Sequence, residues 1–139
     1  MPKVLISDKL SESAVNVFKE NKIETEYMPG LNHDELLKLI EKFDGLAVRS
    51  ATKVNEDIFK NAKNLKIVGR AGIGTDNIDK VAATKHGVVV MNTPYGNAVT
   101  TAEHAIALIM SLVRMIPQAD ISTRQGKWEK SKFNGTEIS

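Results

Sequence analysis

Short apolar segments alternate with helical patterns through most of this sequence, at intervals of roughly 20 residues. Five of these segments have the length and composition of strands: residues 4–6, 23–28, 46–48, 65–68 and 88–91. Four are mostly apolar, as buried strands of a parallel sheet are, whereas residues 23–28 alternate apolar and charged side chains like an edge strand. The alternation predicts a doubly wound α/β fold around a parallel sheet of five strands.

Helix-capping residues precede three of the intervening helices. Ser11, Asn32 and Asn55 each stand before a helical pattern, and Asn32 together with Glu35 has the pattern of a capping box. We therefore predict that helices begin at these three residues. The second of them carries an apolar stripe at helical spacing, which we expect to be buried and which consists of Leu36, Leu37, Leu39, Ile40 and Phe43.

Two predicted strands run directly into loops with few bulky side chains. Residues 65–68 lead into Gly-Arg-Ala-Gly-Ile-Gly at residues 69–74, and residues 88–91 lead into Asn-Thr-Pro-Tyr-Gly-Asn at residues 92–97. In open α/β sheets, ligands bind outside the carboxyl ends of the strands, where backbone N–H groups and helix N-termini can meet an anion. We therefore place the candidate site at these loops.

The glycines at residues 72 and 74 do not complete a dinucleotide-binding fingerprint. Asn77 occupies the position of the third glycine, and no acidic residue ends the following strand to bind a ribose hydroxyl. Two interpretations stay open for this loop. It is either a nest of backbone N–H groups for a small anion or a plain tight turn.

Arg49 and Arg70 each follow a predicted buried strand. A guanidinium in such a place either forms a structural salt bridge or binds a carboxylate or phosphate through two parallel hydrogen bonds. Two arginines at neighbouring strand ends favour the anion-binding interpretation.

Other ionisable residues give little indication of catalysis. Glu103 and His104 lie in the first turns of a predicted helix, where a glutamate is favoured by the helix dipole, and no partner is evident. His33 and His86 lack the spacing of metal ligands. We expect no catalytic residue and no metal site in this chain.

The composition excludes several classes of protein. The net charge is only +2, which argues against a nucleic-acid partner. There is no cysteine, so disulfides and thiolate metal sites are excluded. No apolar run reaches the roughly 18 residues of a membrane span, and the first residues do not form a signal peptide. We predict a soluble cytoplasmic protein without a membrane partner.

A long helical segment follows the fifth strand. Residues 98–116 predict one helix, which Pro117 ends and for which Asn97 is in the N-cap position. Apolar side chains occupy nearly its whole circumference, so it must be covered on more than one side, between two domains or in an oligomer interface. Trp128, further on, is either a local core anchor or an interface contact. We expect a first domain at residues 1–97 and a second part at residues 98–139.

The motifs around these loops resemble those of the D-isomer-specific 2-hydroxyacid dehydrogenases. They are Arg-Ser-Ala-Thr-Lys-Val at residues 49–54, Val-Gly-Arg-Ala-Gly-Ile-Gly-Thr-Asp-Asn-Ile-Asp at residues 68–79 and Met-Asn-Thr-Pro at residues 91–94. Gly-Lys-Trp-Glu at residues 126–129 and Phe-Asn-Gly-Thr-Glu at residues 133–137 extend the likeness along the chain. The resemblance implies an NAD-dependent oxidoreductase that binds a small phosphorylated 2-hydroxy acid. It also implies a flavodoxin-like substrate-binding domain and a homo-oligomer, formed through residues 98–116 and the Trp128 segment.

The resemblance further assigns nine residues to substrate binding. Two arginines and a serine would bind anionic groups of the substrate, and the backbone of the glycine-containing loop would hold its carboxylate. An asparagine would be a polar contact in the cleft, and a lysine would act as a point charge toward a neighbouring subunit's substrate. The arginines are Arg49 and Arg70, and the serine is Ser50. The loop residues are Ala71, Gly72, Ile73 and Gly74, the asparagine is Asn97 and the lysine is Lys130.

The sequence departs from the family pattern in one large respect. The family's NAD fingerprint and its catalytic arginine, glutamate and histidine come after the part that is matched, so we expect an N-terminal portion that is inactive alone. Its long helix would lead into a Rossmann domain that is absent. Two alternatives stay open: a family member that acts on glyoxylate, hydroxypyruvate or lactate, and a stand-alone anion-binding or docking module.

Overall fold

The computed structural model describes residues 1–138, and its contacts divide the chain into two compact units, the first being Met1–Gly96 and the second beginning at Asn97. The strands of the first unit are β1 (Lys3–Ile6), β2 (Glu24–Tyr27), β3 (Gly45–Val48), β4 (Ile67–Arg70) and β5 (Val89–Asn92). Its helices are α1 (Glu12–Glu20), α2 (His33–Leu39), α3 (Glu56–Asn61) and α4 (Lys80–Lys85), with a 3-10 turn at Ile40–Lys42.

The five strands form one parallel sheet in the order β2-β1-β3-β4-β5. This is the strand order of flavodoxin-like folds, so the predicted fold class is confirmed. β2 is at one edge, as its alternating sequence predicts, and β3 is at the centre with all four residues buried. Because every strand runs the same way, all five carboxyl ends meet at one edge of the sheet.

A single apolar core supports this sheet. It joins side chains of the three central strands to those of α2, α3 and α4, and in this way it fixes the strand ends. The predicted α2 stripe contributes Leu36, Ile40 and Phe43 as fully buried residues, whereas Leu37 and Leu39 are only partly buried. The largest fully buried side chains are Phe43, Phe59, Leu5, Ile6, Leu36, Ile40, Leu46 and Ile58.

The three predicted helix caps at Ser11, Asn32 and Asn55 are confirmed. Ser11 accepts a hydrogen bond from the Ala14 N–H, and Asn55 accepts one from the Ile58 N–H, both at 3.3 Å. Asn32 and Glu35 form the complete capping box, in which each side chain accepts from the other residue's backbone N–H. These bonds satisfy N–H groups that the first turn of a helix cannot satisfy itself.

The predicted fourth strand is wrong by two residues. Leu65 lies in the turn after α3, where its N–H donates to the Ala62 carbonyl at 3.0 Å, and β4 begins at Ile67. Gly69 and Arg70 are consequently strand residues, and Arg70 pairs in register with Val48. The fifth strand is shifted by one residue in the same direction. Apolar composition places a strand but does not fix its ends.

Asp44, at the amino end of β3, is the source of a pH-dependent contribution to stability. A hydrogen bond from the Lys3 backbone N–H, and then the Lys66 ammonium, lower the pKa of Asp44 below its usual value. A carboxyl whose pKa is lowered by folding stabilises the protein above its unfolded-state pKa, near 3.9, and this contribution is lost as the pH falls through the folded-state pKa.

We therefore expect Asp44→Asn to lower the free energy of unfolding at pH 6 and to have a smaller effect at pH 2.5. Urea denaturation of both proteins at the two pH values measures this difference. An equal difference at both pH values would contradict the assigned role of the carboxylate charge.

The second unit contains α5 (Ala98–Val113), α6 (Ile116–Arg124) and a 3-10 turn at Lys130–Lys132. The prediction of one helix over residues 98–116 is wrong. The chain turns at Met115, whose φ of 53° is in the left-handed region. Pro117 does not end α5. It lies in the first turn of α6, where a residue without an N–H costs no helical hydrogen bond.

The last part of the second unit returns to the end of α5. The Thr136 N–H donates to the Val113 carbonyl at 2.8 Å. Gly135 next to it has a φ of 63°, and a β-carbon there would collide with the same carbonyl, so both the conformation and the space call for glycine. Hydrogen bonds from Lys132 and Ser122 lower the pKa of Glu129 in this unit.

α5 carries exposed apolar side chains along its length. No α5 residue is buried, and Leu112 is 71% exposed. Within residues 1–138 no single helix is long and apolar enough to cross a membrane. α5 and α6 reach that length and composition only as a pair bent by 62°. The other large exposed apolar residues of α5 are Val99, Ile106, Leu108, Ile109 and Met110.

Candidate functional site

Charged and amide side chains meet at the carboxyl edge of the sheet. Asp8 follows β1, Arg49 follows β3, and residues 71–77 follow β4. These three strands are neighbours, so their ends lie side by side. Of the nine predicted site residues, the seven from Arg49 to Gly74 belong to this edge or to the loop that leaves it.

Arg49 and Ser50 are exposed at the end of the central strand. Within residues 1–138 the Arg49 guanidinium has no hydrogen bond and no ion pair. Both residues line a cleft of about 370 Å³ in which Lys9 is a second cation. An arginine that is not paired within its own unit is suited to bind a carboxylate or phosphate through two hydrogen bonds. The remaining lining residues are Asp8, Pro29, Gly30 and Ala51.

Asp8 is a buried carboxylate, only 5% exposed. Its Oδ2 accepts hydrogen bonds from the backbone N–H groups of Arg49 at 2.6 Å and Thr52 at 3.2 Å, and its Oδ1 accepts from the Thr52 hydroxyl at 2.8 Å. The Ser7 hydroxyl lies 3.0 Å from the Thr52 hydroxyl and extends the network. The Asp8 charge is thus satisfied by the loop that follows β3.

Asn77 reaches the same loop from the opposite side. Its amide nitrogen donates to the carbonyl oxygens of Arg49 and Thr52, both at 2.7 Å. Its Oδ1 is buried and has no hydrogen-bond partner within the described chain. Asn77 also joins the loop to the segment before α4, because its carbonyl accepts from the Val54 N–H at 2.8 Å.

Arg70 folds back over the glycine-containing loop. Its guanidinium donates to the Gly74 carbonyl, is 3.4 Å from the Arg49 carbonyl and is 3.9 Å from the exposed Asp76 carboxylate. The Arg70 side chain is only 11% exposed. A β-carbon at Gly72 or Gly74 would lie 3.2 Å from Arg70 Nη1, so these glycines leave room for the guanidinium. Arg70 therefore shapes the loop.

Two of the four backbone N–H groups in the predicted carboxylate cradle already have acceptors. The Ala71 N–H donates to the Val48 carbonyl at 2.9 Å, and the Gly72 N–H donates to the Arg70 carbonyl at 3.0 Å. The N–H groups of Ile73 and Gly74 have no acceptor among residues 1–138. They are the donors that this loop can offer to an anion, while Asn92 fixes the loop through a 2.7 Å hydrogen bond to the Ile73 carbonyl.

The other two predicted site residues belong to the second unit. Asn97 stands in the N-cap position of α5, but its side chain makes no capping hydrogen bond. Lys130 begins the 3-10 turn and is exposed. Their roles in substrate binding stay predictions.

The residues that organise this edge were not identified from the sequence. Asp8 gave the same signal as Arg49, since it is a charged residue just after a buried apolar strand. Asn77 was noticed only because it occupies the position of a third glycine. No sequence pattern marked Thr52, because its role depends on contacts with Asp8 and Asn77, which are 44 and 25 positions away in the chain.

The glycine-containing loop does not fit a dinucleotide. Arg70 occupies the space beside Gly72 and Gly74 where a pyrophosphate would have to approach the backbone. β5 ends in Met91 and Asn92, so no carboxylate is present there to bind a ribose hydroxyl. This structure therefore supports a site for a small anion rather than for NAD at this loop.

The sequence matches proteins of a known family over nearly its whole length. Residues 4–135 match the sequence model of the D-isomer specific 2-hydroxyacid dehydrogenase catalytic domain. A D-3-phosphoglycerate dehydrogenase of Archaeoglobus fulgidus is 49% identical over 98% of this chain. The chain spans only about a quarter of the curated relatives it matches, and 26% of this one.

Solved structures agree in fold. A crystal structure of a protein from Pyrococcus horikoshii OT3 superposes with a TM-score of 0.83 at 33% identity, covering 93% of this chain and 38% of that one. The NAD+-bound 3-phosphoglycerate dehydrogenase of Entamoeba histolytica has a TM-score of 0.71 at 30% identity. That alignment covers 81% of this chain and 39% of the other.

Proposed function

Since this chain belongs to the family of D-isomer specific 2-hydroxyacid dehydrogenases, we propose that it forms the substrate-binding part of an NAD-dependent D-3-phosphoglycerate dehydrogenase. Such an enzyme oxidises the C2 hydroxyl of 3-phosphoglycerate to give 3-phosphohydroxypyruvate for the synthesis of L-serine. The 49% identity to the Archaeoglobus fulgidus enzyme supports this choice within the family. NAD would supply the hydride acceptor in such an enzyme, and the glycine-containing loop does not fit it.

The observation that carries the proposal is the exposed Arg49 guanidinium at the end of the central strand. It stands beside Ser50 in a cleft that contains Lys9 as a further cation. A substrate with a phosphate at one end and a carboxylate at the other needs two separate groups of donors. Arg49 and Ser50 supply one group, and the N–H groups of Ile73 and Gly74 supply the other.

The direct test is calorimetric titration of the 139-residue chain with 3-phosphoglycerate, followed by D-lactate and glyoxylate. We expect 3-phosphoglycerate to bind more tightly than either unphosphorylated acid, because it adds a dianionic group for the cations of the cleft. A preference for lactate or glyoxylate would instead support a different enzyme of the same family.

Replacing Arg49 with alanine is expected to raise the Kd for 3-phosphoglycerate by roughly 10- to 100-fold, since hydrogen bonds to charged groups contribute about 1.5–3 kcal/mol. Lys66→Ala is the matched control, because it removes the same charge just before β4, at the amino end of the sheet, and is expected to leave the Kd unchanged. In a complete enzyme Arg49→Ala should weaken substrate binding more than NAD binding. Equal losses for both ligands would overturn the role of Arg49.

A second proposal concerns assembly. We propose that the apolar side chains of α5 and the Trp128 segment form the contact between copies of this chain in a homo-oligomer. Trp128 is 84% exposed, and six large apolar residues of α5 are each at least 42% exposed. Large apolar residues that are exposed as a group, rather than singly, mark interaction sites. The same surface would serve a stand-alone docking module. The cytoplasmic location stays a prediction.

A further inference from the structure

The loop of residues 49–52 is held from both sides by two side chains that the family comparison does not single out. Asp8 accepts hydrogen bonds from the N–H groups of Arg49 and Thr52, and Asn77 donates to the carbonyl groups of the same two residues. We propose that Asp8 and Asn77 are positioning residues, which hold this loop in the conformation that presents Arg49 and Ser50 to the substrate anion. The inference rests on the proposed function.

Asp8 supplies the acceptor half of this arrangement. A buried carboxylate needs several donors, and Asp8 takes all three of its hydrogen bonds from Arg49 and Thr52. The Asp8 carboxylate is therefore satisfied by two backbone N–H groups and one hydroxyl group of the loop. It does not pair with the Arg49 guanidinium, which remains available for a ligand.

Asn77 supplies the donor half, and its orientation is fixed by chemistry. Turning the amide over would aim Oδ1 at two carbonyl oxygens, which cannot donate a hydrogen bond. In the observed orientation the amide nitrogen donates to both carbonyl groups, and the buried Oδ1 has no hydrogen-bond partner among residues 1–138. Asn77 therefore directs both of its side-chain hydrogen bonds to the loop of residues 49–52.

The consequence is a rigid two-residue tip. Arg49 and Thr52 are fixed through both their N–H and C=O groups, so Ser50 and Ala51 are held between two anchored residues. The N–H groups of Ser50 and Ala51 have no acceptor in the described chain. An anion bound at this tip finds its donors already oriented, and less conformational entropy is lost on binding.

The test uses four variants of the 139-residue chain. Asp8→Ala and Asn77→Asp each remove one side of the arrangement, the second by placing a carboxylate against two carbonyl groups. Asp8→Asn is the conservative variant. The new amide oxygen can still accept hydrogen bonds from both backbone N–H groups, and the new amide nitrogen can donate to the Thr52 hydroxyl oxygen. Asp44→Ala is the matched control, since Asp44 also accepts a backbone N–H but lies at the opposite edge of the sheet.

Two properties are measured on each variant: the amide hydrogen exchange of residues 49–52 without ligand, and the Kd for 3-phosphoglycerate. We expect Asp8→Ala and Asn77→Asp to accelerate exchange in the loop and to raise the Kd by about tenfold or more. Asp8→Asn should stay within about threefold of the parent protein. Asp44→Ala should lower the unfolding midpoint while leaving the Kd unchanged.

The outcomes separate this inference from the function on which it rests. If the parent chain binds 3-phosphoglycerate and the Asp8→Ala and Asn77→Asp variants bind it equally well, the positioning role is overturned and the function stands. If the parent chain does not bind it, the proposed substrate is overturned, and accelerated exchange in the variants alone would still support the control of the loop by Asp8 and Asn77. Unchanged exchange in both variants overturns that control whatever the Kd.

Discussion

Replacement of Phe43 with alanine is expected to destabilise the first unit by about 3–5 kcal/mol. Phe43 is fully buried and lies between the 3-10 turn and β3, where it belongs to the same core as Leu46 and Val68 of the central strands. Removing the ring loses its burial and leaves a cavity that the rigid sheet cannot fill. The Lys3 ammonium, 5.4 Å from the ring centre, also loses its aromatic partner.

Urea denaturation and a thermal scan measure this effect, and the thermal midpoint should fall by on the order of 15 °C. Val17→Ala is the control, because Val17 is 54% exposed and its truncation should change stability by less than about 0.5 kcal/mol. A loss below about 1.5 kcal/mol for Phe43→Ala would mean that the core relaxes around the missing ring. That result would contradict the role of this core in fixing the strand ends.

The architecture of the first unit could be predicted because its signals are local. The caps at Ser11, Asn32 and Asn55 satisfy N–H groups three residues away, and apolar runs of three or four residues mark the strands. The regular alternation of strands and helices predicted a parallel sheet, whereas the flavodoxin-like strand order was implied only by the resemblance to a family of known fold. The ends of β4 could not be predicted, since Ile67 and Arg70 take their places from pairing with Gly45 and Val48 of β3.

The candidate site could be predicted only in part. Arg49 and Arg70 were recognised by their positions after apolar strands, yet the structure uses them differently. The Arg49 guanidinium is exposed and has no partner among residues 1–138, whereas Arg70 is covered and hydrogen-bonded to its own loop. Nothing in the sequence distinguishes the two, because the difference depends on whether a carbonyl group lies within reach after folding. The hydrogen bonds of Asp8 and Asn77 to the loop of residues 49–52 could not be predicted either, because they also depend on which groups lie within reach after folding.

The second unit illustrates a limit of helical periodicity. The apolar pattern continues through Arg114 and Met115, so it predicts one helix where the chain forms two. Periodicity reports which side chains avoid water but is insensitive to a single left-handed residue at Met115. The prediction that this segment is apolar nearly all round was nevertheless sound, and it has a testable consequence for assembly.

Leu112→Lys is expected to abolish most of the self-association that we propose for α5. Leu112 is 71% exposed and lies one residue before the end of the helix, within the same apolar surface as Leu108 and Ile109. Burying a lysine ammonium in an apolar contact costs several kcal/mol, so the dissociation constant should rise on the order of 100-fold. Sedimentation velocity over a range of concentrations measures the change.

Gln118→Lys is the control for this experiment, because it adds the same charge at an exposed polar position of α6 and should leave the association constant within about threefold. If the parent chain sediments as a monomer at all concentrations, the apolar surface of α5 does not join copies of this chain. Dissociation caused equally by both variants would indicate general charge repulsion rather than a specific contact. Only a loss confined to Leu112→Lys places the interface on α5, since the two variants differ in position but not in charge.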